Sequence, residues 1–364
     1  MKQFVIKLFV FTLPISCWFI IEGLLPSNTY TYRPWEALDF QTRFDLDRYF
    51  HPNNELEMES VGELCHHTKY AITKDEKWVT DRIGNRNNFF IENPDILIMG
   101  DSFAVGTTVT QDSIINSLLQ SELNDRLKIY NIAPCEFSSL DYYLKKGIIS
   151  KPKKVIFFKS ERWVPRPLES YKPSNSKISK IKNQLKEYPG IDRLFIFFDK
   201  IFRHYSLNWV RARLTQKIGD GIPGTDGSNM FFFNTVNHGY DGNMVYDFTN
   251  DLLRTKNNLV SFKEYCDSLA IDFLFVPMPN KATVYYDYVP YDEQPDYLIK
   301  LDSMLRAEDV QTINTIALYN NFRKTSKKLL YHLDDTHWNA NAIQLVSEEI
   351  AREIILNSDY FAEE

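Results

Sequence analysis

The feature that most constrains this chain is an alternation of short apolar runs with helix-spaced ones. Asp95-Ile96-Leu97-Ile98-Met99 ends in Gly100, and Ser113 to Leu123 follows with Ile114, Ile115, Leu118 and Leu119 at helical spacing. Lys128-Ile129-Tyr130-Asn131-Ile132 and Lys154-Val155-Ile156-Phe157-Phe158 repeat the strand pattern around a helical stretch from Leu140 to Ile149. Ser261 to Leu269 then reads as helix and Asp272-Phe273-Leu274-Phe275-Val276 as a buried strand. Leu329-Leu330-Tyr331 gives a last strand-like run, and Asn339 caps a helix whose Ile343, Val346, Ile350 and Ile354 share one face. Strands alternating with helices predict an α/β domain: three αβα layers around a parallel sheet.

The rhythm is absent from the start of the chain. Lys2 and Lys7 precede the apolar run Leu8 to Ile21, and Pro26-Ser27-Asn28 follows it. With Lys7 snorkelling, the run reaches the roughly 17–25 residues that cross a bilayer. No small-residue cleavage site follows, which predicts an uncleaved anchor over residues 1–25. Basic residues on its amino-terminal side alone predict a single-pass protein with its N-terminus inside and its body on the extracytoplasmic side. Residues 26–88 are expected to form a stalk or N-terminal extension, and residues 89–358 the domain, interrupted by an insertion at about 165–250. Within that insertion Leu194, Phe197, Phe198 and Ile201 have helical spacing, and Gly219 to Gly227 is glycine-rich.

A net charge of −6 without a dense basic, aromatic-interleaved cluster leaves no electrostatic footprint for nucleic acid. Three cysteines lie beyond the anchor, Cys65, Cys135 and Cys266, so an odd thiol remains whatever pairs. Cys65-His66-His67 has no second Cys/His pair nearby to complete a zinc site and reads as an ordinary segment. No metal or organic cofactor is implied.

Two motifs stand where a parallel sheet collects its chemistry, at the carboxyl ends of strands. Gly100-Asp101-Ser102-Phe103 turns from strand into helix and presents a hydroxyl. A serine needs a base and an orienting acid to act as a nucleophile. His337, in Asp334-Asp335-Thr336-His337-Trp338-Asn339, supplies the imidazole. It follows a strand-like run and opens a helix, so it is expected on the same edge as Ser102. Asp334 has the D-x-x-H spacing and Asp335 the D-x-H spacing, and either can orient the ring.

These stretches resemble the SGNH/GDSL hydrolase superfamily and, more closely, its alginate O-acetyltransferase branch of AlgX and AlgJ type. Four segments carry the resemblance: Asp81-Arg82-Ile83-Gly84-Asn85-Arg86-Asn87 leading to Gly100-Asp101-Ser102-Phe103, then Ser160-Glu161-Arg162, Pro277 to Tyr285, and Asp335-Thr336-His337-Trp338. The P-x-P-x-K and D-x-H-W forms are its specific parts. The order departs from that branch, where the Asp/His motif precedes the serine. The second-block glycine is replaced around Ala133-Pro134-Cys135, and the third-block asparagine by Ser160-Glu161-Arg162.

The resemblance implies a Ser102, His337 and Asp335 triad, with Asp334 as the alternative acid. It also implies an oxyanion and substrate rim drawn from Arg162, Lys281, Tyr285 and Trp338. Arg162 reads equally as a charge for the oxyanion or as a structural ion pair, and Lys281 and Tyr285 as acceptor-binding or strand-end residues. The implied activity is O-acetylation of an extracytoplasmic polysaccharide through an acyl-serine. A membrane-bound O-acyltransferase would be the acetyl donor. The competing readings are a carbohydrate esterase of GDSL type and a non-catalytic glycan-binding assembly protein.

Overall fold

The computed structural model describes residues 1–25, 31–40, 49–172, 193–194, 196–199, 218–238 and 248–356. Helix α1 (Lys2–Leu24) leads, followed by α2 (Pro34–Leu38) and an antiparallel hairpin of β1 (Glu55–Ser60) and β2 (Lys74–Val79). The domain then runs β3 (Ile96–Gly100), α3 (Ser102–Val105), α4 (Ile115–Glu122), β4 (Ile129–Asn131), α5 (Ser138–Lys145) and β5 (Lys154–Ser160). A second hairpin, β6 (Gly221–Pro223) and β7 (Met230–Phe232), precedes α6 (Phe233–His238) and α7 (Phe248–Ser268). The chain closes with β8 (Asp272–Met278), α8 (Lys281–Val284), α9 (Tyr297–Arg306), β9 (Gln311–Thr312), α10 (Thr315–Thr325) and α11 (Ala340–Leu356).

Among the described residues, five strands form the central sheet in the order β4-β3-β5-β8-β9, every neighbouring pair parallel. Numbered within the sheet this is 2-1-3-4-5, the flavodoxin order, whose switch point lies between β3 and β5. Alternate side chains leave the sheet on opposite faces. Ile96, Ile98, Ile156, Phe158, Leu274 and Val276 join a core closed by Ile115 and Leu119 of α4 and by Ile343, Val346, Ile350 and Ile354 of α11. Leu97, Met99, Val155, Phe157, Phe273 and Phe275 join the other, closed by α5, α7 and α9. Each fully buried aliphatic side chain of α11 contributes about 1.5–3 kcal/mol.

The last strand differs from expectation. Leu329-Leu330-Tyr331 is no strand of the sheet; Tyr331 makes one isolated antiparallel bridge to Trp338. The fifth strand is instead β9, whose two paired residues are too short to show a period of two.

Residues 49–88 do not stand away from the domain as a stalk would. Trp78 and Phe50 enter the α11-side core, and the turn after β1 lies against Asp334. A Cβ at Gly62 would meet the Asp334 carbonyl oxygen at 2.0 Å, so only glycine allows this approach. Of the expected insertion, residues 173–192, 195, 200–217 and 239–247 lie outside the described residues, as does Ile201 of its helical pattern. The described hairpin β6–β7 lies beside Leu64 and the loop before His337, where the Met230 amide donates to the Leu333 carbonyl.

Helix α1 leaves most of its apolar side chains exposed. None of the window Lys2–Ile21 is buried, and Phe4, Phe9, Val10 and Phe11 are all exposed. It is one helix long and apolar enough to cross a membrane.

Candidate active site

The serine turn is built from local rules. Gly100 takes φ +145°, and a Cβ there would lie 2.3 Å from the Phe158 carbonyl oxygen, so the chain leaves β3 through a position closed to larger residues. Asp101 then caps α3: its Oδ1 accepts the Phe103 amide at 3.1 Å. Its Oδ2 accepts the Ser160 amide at 2.7 Å and ties the turn to the end of β5. Beneath α3 lies Arg86, fully buried, with its guanidinium 3.8 Å from the Trp78 ring. It donates to the carbonyls of Val105, Gly106, Val109 and Lys77, holding the far end of the turn. The Asp81 to Asn87 stretch is therefore a brace under the nucleophile position.

The histidine loop is built from distant contacts. Lys281, only 2% exposed, reaches under residues 332–335 and donates to the carbonyl oxygens of Met230, His332, Leu333 and Asp335 at 2.6–3.2 Å. Burial pushes its pKa down to about 7 against the opposing pull of Asp335 and Asp334. Lys281 is thus not on the acceptor-facing rim: its ammonium supplies donors to these buried carbonyls, of which that of Leu333 also accepts the Met230 amide. Tyr285 is also buried, its hydroxyl accepting the Leu330 amide at 2.9 Å. Trp338 is fully buried between Phe103 and Phe158, donating from Nε1 to the Phe103 carbonyl. Both expected rim residues are core residues, because a long aromatic side chain beside a sheet gains more from burial than from a wet rim.

These supports bring the two motifs together. His337 Nε2 lies 2.8 Å from Ser102 Oγ, and His337 Nδ1 lies 2.6 Å from Asp335 Oδ1. Asp335 Oδ1 also accepts the His337 amide, and Oδ2 accepts the Glu63 amide at 2.7 Å. Burial opposes its charge, but His337 and these hydrogen bonds hold the Asp335 carboxyl far below the usual range. Burial alone would lower the His337 pKa; Asp335, with Glu63 adding and Arg162 opposing, raises it.

Asp334 does different work. Fully buried, it accepts the amides of Gly62 and Ile72 and pairs with Lys74 Nζ at 2.7 Å. Of the two adjacent carboxylates, Asp335 faces the imidazole and Asp334 anchors the hairpin segment.

Arg162 is half-buried at the end of β5, on the same sheet edge as Ser102. Its Nε donates to Asn280 Oδ1 at 3.2 Å, and its guanidinium lies 5.8 Å from the Phe232 ring. Glu161 beside it accepts the Asn280 amide and the Thr283 hydroxyl, so the second and third motif stretches brace each other across adjacent strands. Cys65, Cys135 and Cys266 are free thiols, and His66 stacks on Tyr32 at 4.2 Å.

Sequence reasoning missed Glu63, Lys74 and the brace made by Arg86. Glu63 Oε1 lies 3.8 Å from His337 Nδ1 and accepts the Thr336 hydroxyl. Nothing in its local pattern marks it. Glu63, Asp335 and His337 bring ligand-capable atoms within 4.8 Å of one another. Each already has a hydrogen-bond partner there, so the donor set is that of an oriented imidazole more than of an open metal site.

Residues 249–363 match the family described as "SGNH hydrolase-like domain, acetyltransferase AlgX". No curated protein matches the chain. A lipase/acylhydrolase from Enterococcus faecalis is similar at 13% identity and a TM-score of 0.35, covering 72% of this chain and 95% of that one. A mutant acetyl-xylooligosaccharide esterase from Geobacillus stearmophilus shares 13% identity at a TM-score of 0.36, over 74% and 95% of the two chains. A putative lipolytic protein of the G-D-S-L family from Desulfitobacterium hafniense shares 9% identity at a TM-score of 0.34, over 72% and 99%. The carboxy-terminal part of the chain thus resembles an SGNH hydrolase-like domain of AlgX type, and the described residues hold the 2-1-3-4-5 parallel sheet that places Ser102 and His337 on one edge.

Proposed function

We propose that this chain is a serine O-acetyltransferase that acetylates an extracytoplasmic polysaccharide. The observation that carries the acyl-serine chemistry is the line Ser102 Oγ, His337 Nε2, His337 Nδ1, Asp335 Oδ1, with links of 2.8 and 2.6 Å. His337 takes the Ser102 proton as Oγ attacks the acetyl carbonyl, then returns it to the leaving group as the carbonyl–leaving-group bond breaks. In the second half an acceptor hydroxyl gives its proton to His337 and attacks the acyl-serine. Ester forms and Ser102 leaves with the proton. Asp335 holds the imidazole in the tautomer that both halves need. The backbone N–H of Ser102, at the start of α3, and the Arg162 charge are the candidate stabilisers of the tetrahedral oxyanion.

The AlgX-type match favours a sugar hydroxyl over water as acceptor. Helix α1 supports an anchored protein, and Lys2 and Lys7 on its amino-terminal side support a body outside a bacterial inner membrane. Acetyl-CoA is confined to the cytoplasm, so a membrane-bound O-acyltransferase is proposed to deliver the acetyl group.

The test compares the full chain with Ser102→Ala on two substrates, a small acetyl ester and an oligosaccharide acceptor supplied with an acetyl donor. Both activities should vanish in the variant while thermal unfolding is unchanged. Ester hydrolysis without transfer to any glycan would make the protein an esterase; undiminished turnover in Ser102→Ala would remove the nucleophile.

A further inference from the structure

We propose that Glu63, contributed by the segment between the hairpin strands β1 and β2, is a positioning residue for the acyl transfer. It braces the His337–Asp335 pair from the side opposite Ser102. The role rests on Ser102 and His337 as nucleophile and base.

The geometry is specific. Glu63 touches the pair twice, through main chain and side chain. Its amide donates to Asp335 Oδ2 at 2.7 Å, leaving Oδ1 for the imidazole. Its Oε1 accepts the Thr336 hydroxyl and stands 3.8 Å from His337 Nδ1. Glu63 is itself fixed from two directions. Arg33 donates from its guanidinium to Oε2 at 3.2 Å while its other nitrogens grip Glu36 at 2.8 and 3.1 Å. His66 lies with Nδ1 2.9 Å from the Glu63 carbonyl oxygen and stacks on Tyr32, a ring from the segment just beyond α1. A solvated surface glutamate has no need of these restraints, and a residue held at its main chain by Asp335 and His66 and at its carboxylate by Arg33 and Thr336 loses little entropy in holding its position.

The chemistry follows from charge. Four titratable or charged groups face His337: Asp335 and His332 from its own loop, Glu63 from the hairpin segment and Arg162 from the end of β5. Lys281 and Lys74 act on the carboxylates behind it. The Glu63 carboxylate is 22% exposed, so its field at the ring is screened on one side only. It favours the imidazolium that forms when Ser102 gives up its proton, adding to Asp335. It also keeps Thr336, and with it the loop, from rotating the ring off Ser102. Tyr32, Arg33 and Glu36 thereby tie the proton-transfer pair to the segment that joins the domain to α1. A soluble form made by removing α1 has to retain Arg33 to keep this arrangement.

The experiment uses the full chain in proteoliposomes and the pH profile of kcat/KM for p-nitrophenyl acetate, in the parent, Glu63→Gln, Glu63→Ala and Arg162→Gln, with Ser102→Ala as control. The acid limb reports loss of the His337 proton. Glu63→Gln keeps a group able to accept from Thr336 but removes the charge, so the limb should move to lower pH. Arg162→Gln removes the opposing charge, so its limb should move to higher pH. Glu63→Ala should in addition lower the plateau on the order of tenfold, the low end of what losing a group that orients a functional histidine costs at metal sites. A merely structural Glu63 would change expression or melting temperature and leave the limb in place. An unmoved limb in Glu63→Gln, with Ser102→Ala inactive, overturns the proposal. Full turnover in Ser102→Ala removes the reaction this role serves, and the proposal with it.

Discussion

The serine turn and the histidine loop meet at one hydrogen bond but are built on different principles. At the serine turn the contacts that fix Gly100 and Asp101 are close in sequence or between neighbouring strands: Gly100 under Phe158, Asp101 on Phe103 and Ser160. At the histidine loop the supports come from 50 to more than 270 positions away. Lys281 supplies three bonds from below, Gly62 and Glu63 supply amides from the side, and Lys74 neutralises Asp334. The lesson is that a nucleophile at a strand end is cheap to position, while its base, on a loop without sheet pairing, needs an imported scaffold.

The largest effect that separates the two halves is on the adjacent carboxylates. Asp335→Asn should leave Ser102 and the fold in place yet reduce turnover by ~10⁴-fold, the cost of losing the orienting acid in a serine triad. Asp334→Asn should do the reverse. It breaks a pair in which Asp334 is fully buried and Lys74 largely so, at about 3–5 kcal/mol of stability. The folded fraction should keep activity within about tenfold, because one decade is 1.4 kcal/mol of barrier. Kinetics and urea unfolding on the same two variants read both outcomes. Activity loss in Asp334→Asn matching that in Asp335→Asn would merge the two roles and erase the contrast.

Lys281→Met sharpens the comparison at the next scale. The substitution keeps an unbranched buried stem but strips the Lys281 donor from the carbonyls of Met230, His332 and Asp335 and leaves Leu333 with the Met230 amide alone, and each buried unsatisfied group costs about 1–3 kcal/mol. Stability should drop by several kcal/mol, and ester hydrolysis and glycan transfer should fall together, because the change acts through the placement of His337. A loss confined to transfer would return Lys281 to an acceptor-binding role.

What was legible in the sequence follows the same division. β3, β5 and β8 were readable as apolar runs because both faces of the sheet are covered, and α4 and α11 because each buries one stripe. Ser102 and His337 were readable because glycine before the serine and acids before the histidine are local signals. β9 was not, since two paired residues carry no pattern. Lys281, Tyr285 and Trp338 were recognisable as a motif but not as interior residues: spacing shows that a residue is special without showing whether it faces substrate or core. Glu63 left no trace at all, because its meaning depends on where residues 335 to 337 come to rest.

The smallest effect concerns pH, and it sets stability against activity within the histidine loop. Unfolded, Asp335 and His337 titrate near about 3.9 and 6.5. In the fold Asp335 is held far lower by His337 and its hydrogen bonds, so its contribution to stability is present above about 3.9 and is lost as the pH falls toward its folded value. His337 is raised by Asp335 against its burial, so its contribution is complete below about 6.5 and is lost as the pH climbs through the raised value. The pair therefore stabilises most between about pH 4 and 6.5, whereas catalysis needs the neutral imidazole and grows above that window. Lys281, pushed down to about 7, titrates nearby with the opposite sign, because the unfolded chain binds its proton to higher pH. Subtracting the melting profile of His337→Gln from that of the parent removes this shared contribution. The remaining difference should be greatest near pH 5 and shrink through neutrality as ester hydrolysis rises. A flat difference across that range would mean that the loop is held by its distant props alone, with the His337–Asp335 contact contributing to chemistry and nothing to the fold.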